Sequence, residues 1–138
     1  AQGISKRYGE LEALSDLNFQ IEQGEVVGFL GQNGAGKSTT LRILTTFIPP
    51  STGEAEVAGH SVLRHSQEVR RNIGSLPEAP PLYPELTVRQ YLEFVARIKH
   101  LPTSQIRSQL NSVIEQCDLG EFQNRRCGTL SKGMKQRV

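Results

Sequence analysis

The sequence predicts an α/β fold in two parts, a sheet-based part over residues 1–76 and a mostly helical part over residues 87–138. Three observations carry this. A short apolar run over residues 26–30, Val26-Val27-Gly28-Phe29-Leu30, suits a buried parallel strand and leads into a glycine-rich loop and then a helical segment over residues 40–47. The character of the chain then changes near Pro77, where strand-like segments give way to helical ones. Beyond Leu82, two apolar stripes recur at helical spacing.

The elements follow in order. Residues 13–21 read as a strand, and Gln23-Gly24 turns the chain into the strand at 26–30. After the loop and its helix, Pro49-Pro50 stops helical continuation, and Ser51-Thr52-Gly53 turns into a strand at 54–58. A polar helix around 66–71 precedes a short strand at 73–76. Thr87 and Gln90 have capping-box spacing, and Val88, Leu92, Val95 and Ile98 then mark one apolar helical face. Pro102 ends the connection, and Ile106, Leu110, Val113, Ile114 and Cys117 mark a second. Both stripes read as core packing.

The loop carries the chemistry. Gly31-Gln32-Asn33-Gly34-Ala35-Gly36-Lys37-Ser38-Thr39 completes G-x-x-x-x-G-K-[ST] between a strand and a helix. The bare pattern arises by chance in about one such chain in two hundred, so its strand–loop–helix setting is what separates it from a glycine-rich turn. Gly31, Gly34 and Gly36 let the backbone approach oxygens closely, so that successive N–H groups converge on a β-phosphate. The start of the helix adds its positive dipole end. Lys37 places a charge between the β- and γ-phosphates, the Ser38 hydroxyl ligates the bridging Mg²⁺, and Thr39 reaches the α-phosphate.

Composition excludes several classes. Sixteen basic against fourteen acidic residues leave a net charge of +2, too mild to argue for nucleic acid. Two cysteines without C-x-x-C spacing suggest neither a disulfide framework nor a zinc site, and His60, His65 and His100 lack metal-ligand spacing. No apolar run approaches the length of a membrane span. With 138 residues and no initiator Met, the chain is short for a complete phosphate-loop enzyme and is expected to be a fragment of a longer reading frame.

Leu130-Ser131-Lys132-Gly133-Met134-Lys135-Gln136-Arg137-Val138 resembles the signature motif of ATP-binding-cassette (ABC) ATPases, LSGGQ followed by a Q-R-V type run. Together with the phosphate loop it points to that family. Tyr8 in KRYGE looks like the family's aromatic that stacks on adenine, although a lone tyrosine near a terminus reads equally as a surface residue. Residues 73–88, IGSLPEAPPLYPELTV, look like its Q-loop region. The likeness covers essentially the whole chain. In detail it is nearest to ATPase subunits of prokaryotic drug, polysaccharide and gliding-type exporters.

The resemblance implies a P-loop NTPase core sheet, here incomplete, over residues 1–76, a Q-loop over 77–86, and a helical subdomain over 87–138 ending in the signature. It implies ATP and Mg²⁺ as ligands, with Ser131, Lys132, Gly133 and Met134 facing ATP held by the opposite subunit of a head-to-tail dimer. Two departures stand out. Lys132 and Met134 replace the usual glycine and glutamine of LSGGQ, and Glu78 occupies the usual glutamine position of the Q-loop. A carboxylate there still ligates Mg²⁺, which leaves a metal set of Ser38 and Glu78, while a solvated loop glutamate is the plainer reading.

In the family the Walker B aspartate, the catalytic glutamate and a switch histidine lie downstream of the signature, so the catalytic set is incomplete within these residues. The expected parent is the cytoplasmic ATPase subunit of an exporter, peripheral at the inner face of the cell membrane, contacting a membrane permease subunit through residues 78–84. The basic stretch Arg125, Arg126, Lys132, Lys135 and Arg137 has no aromatic platform beside it, and no nucleic-acid partner is expected. Two other readings remain open at this point, a soluble ABC protein acting on ribosomes or DNA, and a nucleotide-binding fragment without turnover.

Overall fold

The computed structural model describes residues 1–138. They form two compact units, Ala1–Ser75 and Leu76–Val138. In the first, strands β1 (Gln2–Tyr8) and β2 (Leu11–Leu17) make an antiparallel hairpin around a two-residue turn, with Tyr8 opposite Leu11 and Ile4 opposite Leu17. Strand β3 (Thr52–Glu54) pairs antiparallel with β1 on its other edge, giving the order β2-β1-β3. Gly53 sits at this crossing with φ +82°, and a side chain on it would collide with the Gly3 carbonyl, so only glycine fits. Strands β4 (Glu56–Val57) and β5 (His60–Ser61) form a small separate hairpin.

Helices α1 (Lys37–Leu44) and α2 (Ser66–Asn72) complete this unit. Its core gathers Ile4 of β1, Leu14 of β2, Ile43 of α1 and Val69 of α2, with Ala55 and Val62 from the segments flanking the small hairpin. Burying each of the Ile, Leu and Val side chains contributes about 1.5–3 kcal/mol relative to exposure.

Several sequence expectations are corrected here. Residues 26–30 form no strand, and Val26 and Leu30 are almost wholly exposed at 101% and 93%. A strand persists only where its N–H and C=O groups find a ladder, and none of the five strands runs beside this segment. Residues 73–76, expected as a short strand, form none either. The expected strand at 13–21 starts and ends earlier, at Leu11–Leu17, where the hairpin register holds it. The expected strand at 54–58 is divided between β3 and β4, and the loop helix occupies Lys37–Leu44 rather than 40–47.

The second unit is helical, with α3 (Val88–Ile98), α4 (Thr103–Gln116) and α5 (Lys132–Arg137), and two short 3₁₀ turns between α4 and α5. The capping box at α3 is present in full: Gln90 N donates to Thr87 Oγ1 at 3.2 Å, and Thr87 N donates to Gln90 Oε1 at 2.9 Å. Val88, Ile114, Leu119, Phe122, Cys127 and Leu130 make the main core, and Ala96, Ile106 and Leu110 make a smaller one between α3 and α4. The stripes are shifted from expectation at two places. Ala96 is buried where Ile98 was expected, and Val113 lies at the surface while Ile114 turns inward. No helix is long and apolar enough to cross a membrane.

Candidate nucleotide-binding site

The phosphate loop joins exposed residues to the first turn of α1. Gly34 and Gly36 both adopt left-handed backbone, with φ +87° and +80°. Gly36 is also held at the closest approach to β2. A Cβ there would lie 2.7 Å from the Ala13 carbonyl oxygen and 3.1 Å from Leu14 Cδ1, so glycine is required by conformation and by space together. Buried Thr40 fastens the other side, donating to the Gly36 carbonyl through both N at 2.8 Å and Oγ1 at 3.0 Å.

This anchoring leaves the mouth of the loop polar and open. Helix α1 has no side-chain cap, so the N–H groups of its first turn need an acceptor from elsewhere. The Lys37 side chain folds back across the loop, donating from Nζ to the carbonyls of Gly31 at 2.6 Å and Gln32 at 2.7 Å. Two of its three donors are thus used to fix the ammonium over the loop, and one remains. Ser38 is exposed and Thr39 half-buried. Free N–H groups, a helix N-terminus, an ammonium and a hydroxyl converge without any carboxylate among them. That set suits a polyphosphate.

Tyr8 ends β1 beside the hairpin turn and is 45% exposed, so one ring face is reachable. Lys6 Nζ lies 5.4 Å from its ring centroid and donates to the Pro49 carbonyl at 2.7 Å. Residues two apart on a strand share a face, which is the signal that could have paired Lys6 with Tyr8 from sequence.

In the second unit, Ser131 is the N-cap of α5, its Oγ accepting from Met134 N at 3.3 Å. Ser131, Lys132 and Gly133 are exposed, whereas the Met134 side chain packs against the main apolar core. Met134 is thereby turned away from the polar edge that the other three present. Glu78 sits on an exposed loop, and its Oε1 lies 3.9 Å from Lys132 Nζ. Two more of the basic stretch are engaged within the chain: Arg137 pairs with Asp118 at 2.8 Å and lies over the Phe122 ring, and Arg125 donates to the Thr129 carbonyl. No group of three or more His, Cys, Asp or Glu side chains could hold a metal ion by itself.

A glycine loop, an ammonium folded over it and an uncapped helix start define a phosphate-loop nucleotide-binding fold. Its family follows from comparison. The profile of the ABC transporter family matches residues 14–138, and the chain belongs to that family. It is 39% identical over 136 residues to the daunorubicin resistance ATP-binding protein DrrA3 of Streptomyces coeruleorubidus, covering 99% of this chain and 43% of that protein. It is 36% identical over 135 residues to the bacitracin transport ATP-binding protein BcrA of Bacillus licheniformis, covering 98% of this chain and 43% of the relative.

Among solved structures, the ATP-binding subunit of an ABC transporter superposes with a TM-score of 0.89 at 30% identity, over 99% of this chain and 57% of that one. A dimeric ATP-binding cassette in a post-hydrolysis state with ADP and Pi superposes with a TM-score of 0.85 at 28% identity, over 99% and 64%. The fold is therefore that of the ABC ATPase cassettes. The chain spans less than half the length of the two bacterial relatives.

Proposed function

We propose that this chain is the ATP-binding part of an ABC ATPase subunit that couples binding and hydrolysis of MgATP to export across a membrane. The observation that supports this most is the Lys37 ammonium held over the loop by the Gly31 and Gln32 carbonyls, next to an uncapped helix start. The loop N–H groups of residues 34 and 36–39 would receive the β-phosphate, and the third Lys37 donor would meet the γ-phosphate. Gln32, Asn33 and Ala35 contribute backbone to the same loop. Mg²⁺, when bound, neutralises the developing charge on the phosphate oxygens. Ser38 would hold it with one oxygen. In the second unit the Glu78 carboxylate lies 3.9 Å from Lys132 Nζ.

The same reading makes Ser131, Lys132 and Gly133 the edge that meets ATP on a second cassette, in a head-to-tail dimer. Met134 contributes its backbone and its core packing there. The exposed aromatic cluster of Tyr83 and Phe94, with ring centroids 5.3 Å apart beside half-buried Tyr91, supports a permease contact through the loop that precedes α3. The subunit would then work in the cytoplasm, against the inner face of the membrane. The relatives named for drug resistance and bacitracin transport favour export over the ribosome- or DNA-directed reading.

Calorimetry with MgATP tests the site. Lys37→Ala should weaken binding by roughly 1.5–3 kcal/mol, the worth of a charge-assisted phosphate contact. Unchanged affinity would remove Lys37 from the site. Phosphate release by the full-length parent, measured above its own Lys37→Ala control, tests turnover.

A further inference from the structure

We infer that Lys6 is a positioning residue for the nucleotide base, acting through Tyr8; the inference rests on Tyr8 being the adenine platform. Lys6 and Tyr8 lie two apart on β1 and so share one face of the sheet. The Lys6 ammonium stands 5.4 Å from the Tyr8 centroid, inside the roughly 6 Å range of cation–π attraction. The same nitrogen donates to the Pro49 carbonyl at 2.7 Å, which favours its place beside the ring. Lys6 is half-buried while Tyr8 is exposed, so the cation closes one ring face and leaves the other to a ligand.

Two consequences follow for a stacked purine. The cation draws the ring's π-density toward itself, which makes the opposite face less negative and a better partner for an electron-rich base. It also fixes the ring before the base arrives, reducing the ordering that binding would otherwise require. The tether runs to the segment just after α1. Ser51 N donates to the Ser5 carbonyl at 2.8 Å and Arg7 N to Ser51 Oγ at 3.0 Å along the same line, so β1 keeps its place without Lys6. Lys6 therefore orients the ring rather than supporting the strand.

The test compares MgATP with magnesium tripolyphosphate, which has the phosphates and no base, by calorimetry on the 138-residue chain. Lys6→Met should lower MgATP affinity roughly two- to fivefold, the range of an exposed cation–π contact, and leave tripolyphosphate affinity unchanged. Lys6→Arg should restore MgATP affinity. In a Tyr8→Ala background, Lys6→Met should have no further effect. Equal losses for both ligands, or no loss of MgATP affinity in Lys6→Met where Tyr8→Ala does lose it, would overturn the role of Lys6. If Tyr8→Ala itself leaves the preference for MgATP over tripolyphosphate intact, Tyr8 is not the platform, and that outcome is separate from the failure of Lys6 alone.

Discussion

Glu78 and Lys132 face each other as an ion pair, with Oε1 and Nζ 3.9 Å apart. Both stand where the chain departs from the family's motif residues, one in the loop before α3 and the other at the first position of α5. Opposite charges at two altered positions thus meet within one unit. The side chains are 92% and 75% exposed, so the pair contributes little to stability, on the order of 0–1 kcal/mol. Its effect is on where the two charges point.

Replacing either partner should therefore leave folding nearly unchanged and alter the metal dependence of the parent. Glu78→Gln removes a carboxylate that can ligate Mg²⁺, and Lys132→Ala frees that carboxylate from its competitor. In the full-length ATPase, Glu78→Gln should raise the Mg²⁺ concentration needed for half-maximal turnover, and Lys132→Ala should lower it. Identical Mg²⁺ titrations for wild type and Glu78→Gln would leave Glu78 a solvated loop residue.

The loop glycines separate conformation from space. Gly34 and Gly36 both have positive φ, but a Cβ at Gly34 meets nothing within 4 Å, whereas at Gly36 it meets the Ala13 carbonyl at 2.7 Å. Gly34→Ala should cost about 1–3 kcal/mol, the usual strain of left-handed backbone at a residue with a side chain. Gly36→Ala should cost clearly more, because β2 or the loop must also move. Denaturant titration of both variants checks this, and equal midpoints would show that the contact with β2 is not a constraint.

The fold is most legible in the sequence where a local rule and a buried face agree. Thr87 and Gln90 announce the start of α3, and Ile106, Leu110 and Ile114 announce the inner face of α4, because helical hydrogen bonds close within the segment that carries the pattern. Residues 26–30 fail for the complementary reason. Apolar character marks a segment that can be buried, but a strand is made by its neighbours, and none pairs with it here. The loop glycines, Lys37 and Ser131 were legible as motif residues. The fold-back of Lys37 onto Gly31 and Gln32, the inward turn of Met134 and the meeting of Lys132 with Glu78 were not, since each depends on a side chain's direction rather than its type. Lys6 beside Tyr8 was not legible either, because no strand was expected over residues 2–8 to put the two on one face.

The helical unit should lose stability in alkali through Cys127. This thiol is fully buried beside Leu119, Phe122 and Leu130, and burial pushes its pKa up, opposed by a backbone hydrogen bond and by the Lys135 charge. Below the ordinary thiol range, about pH 8.5, both folded and unfolded chains keep the proton and no slope arises. Above it the unfolded thiol ionises while the folded one stays protonated, so the unfolded state binds fewer protons and stability falls as pH rises, until the folded thiol also ionises. Tyr91, raised by burial and then by the neighbouring Cys127 and Tyr83, adds a second fall above about pH 10. Thermal melts from pH 7 to 10.5 should show the decline beginning near pH 8.5 in wild type. Cys127→Ala should flatten it up to about pH 10 and leave the later step. The same slope in both proteins would mean that other groups govern the alkaline loss.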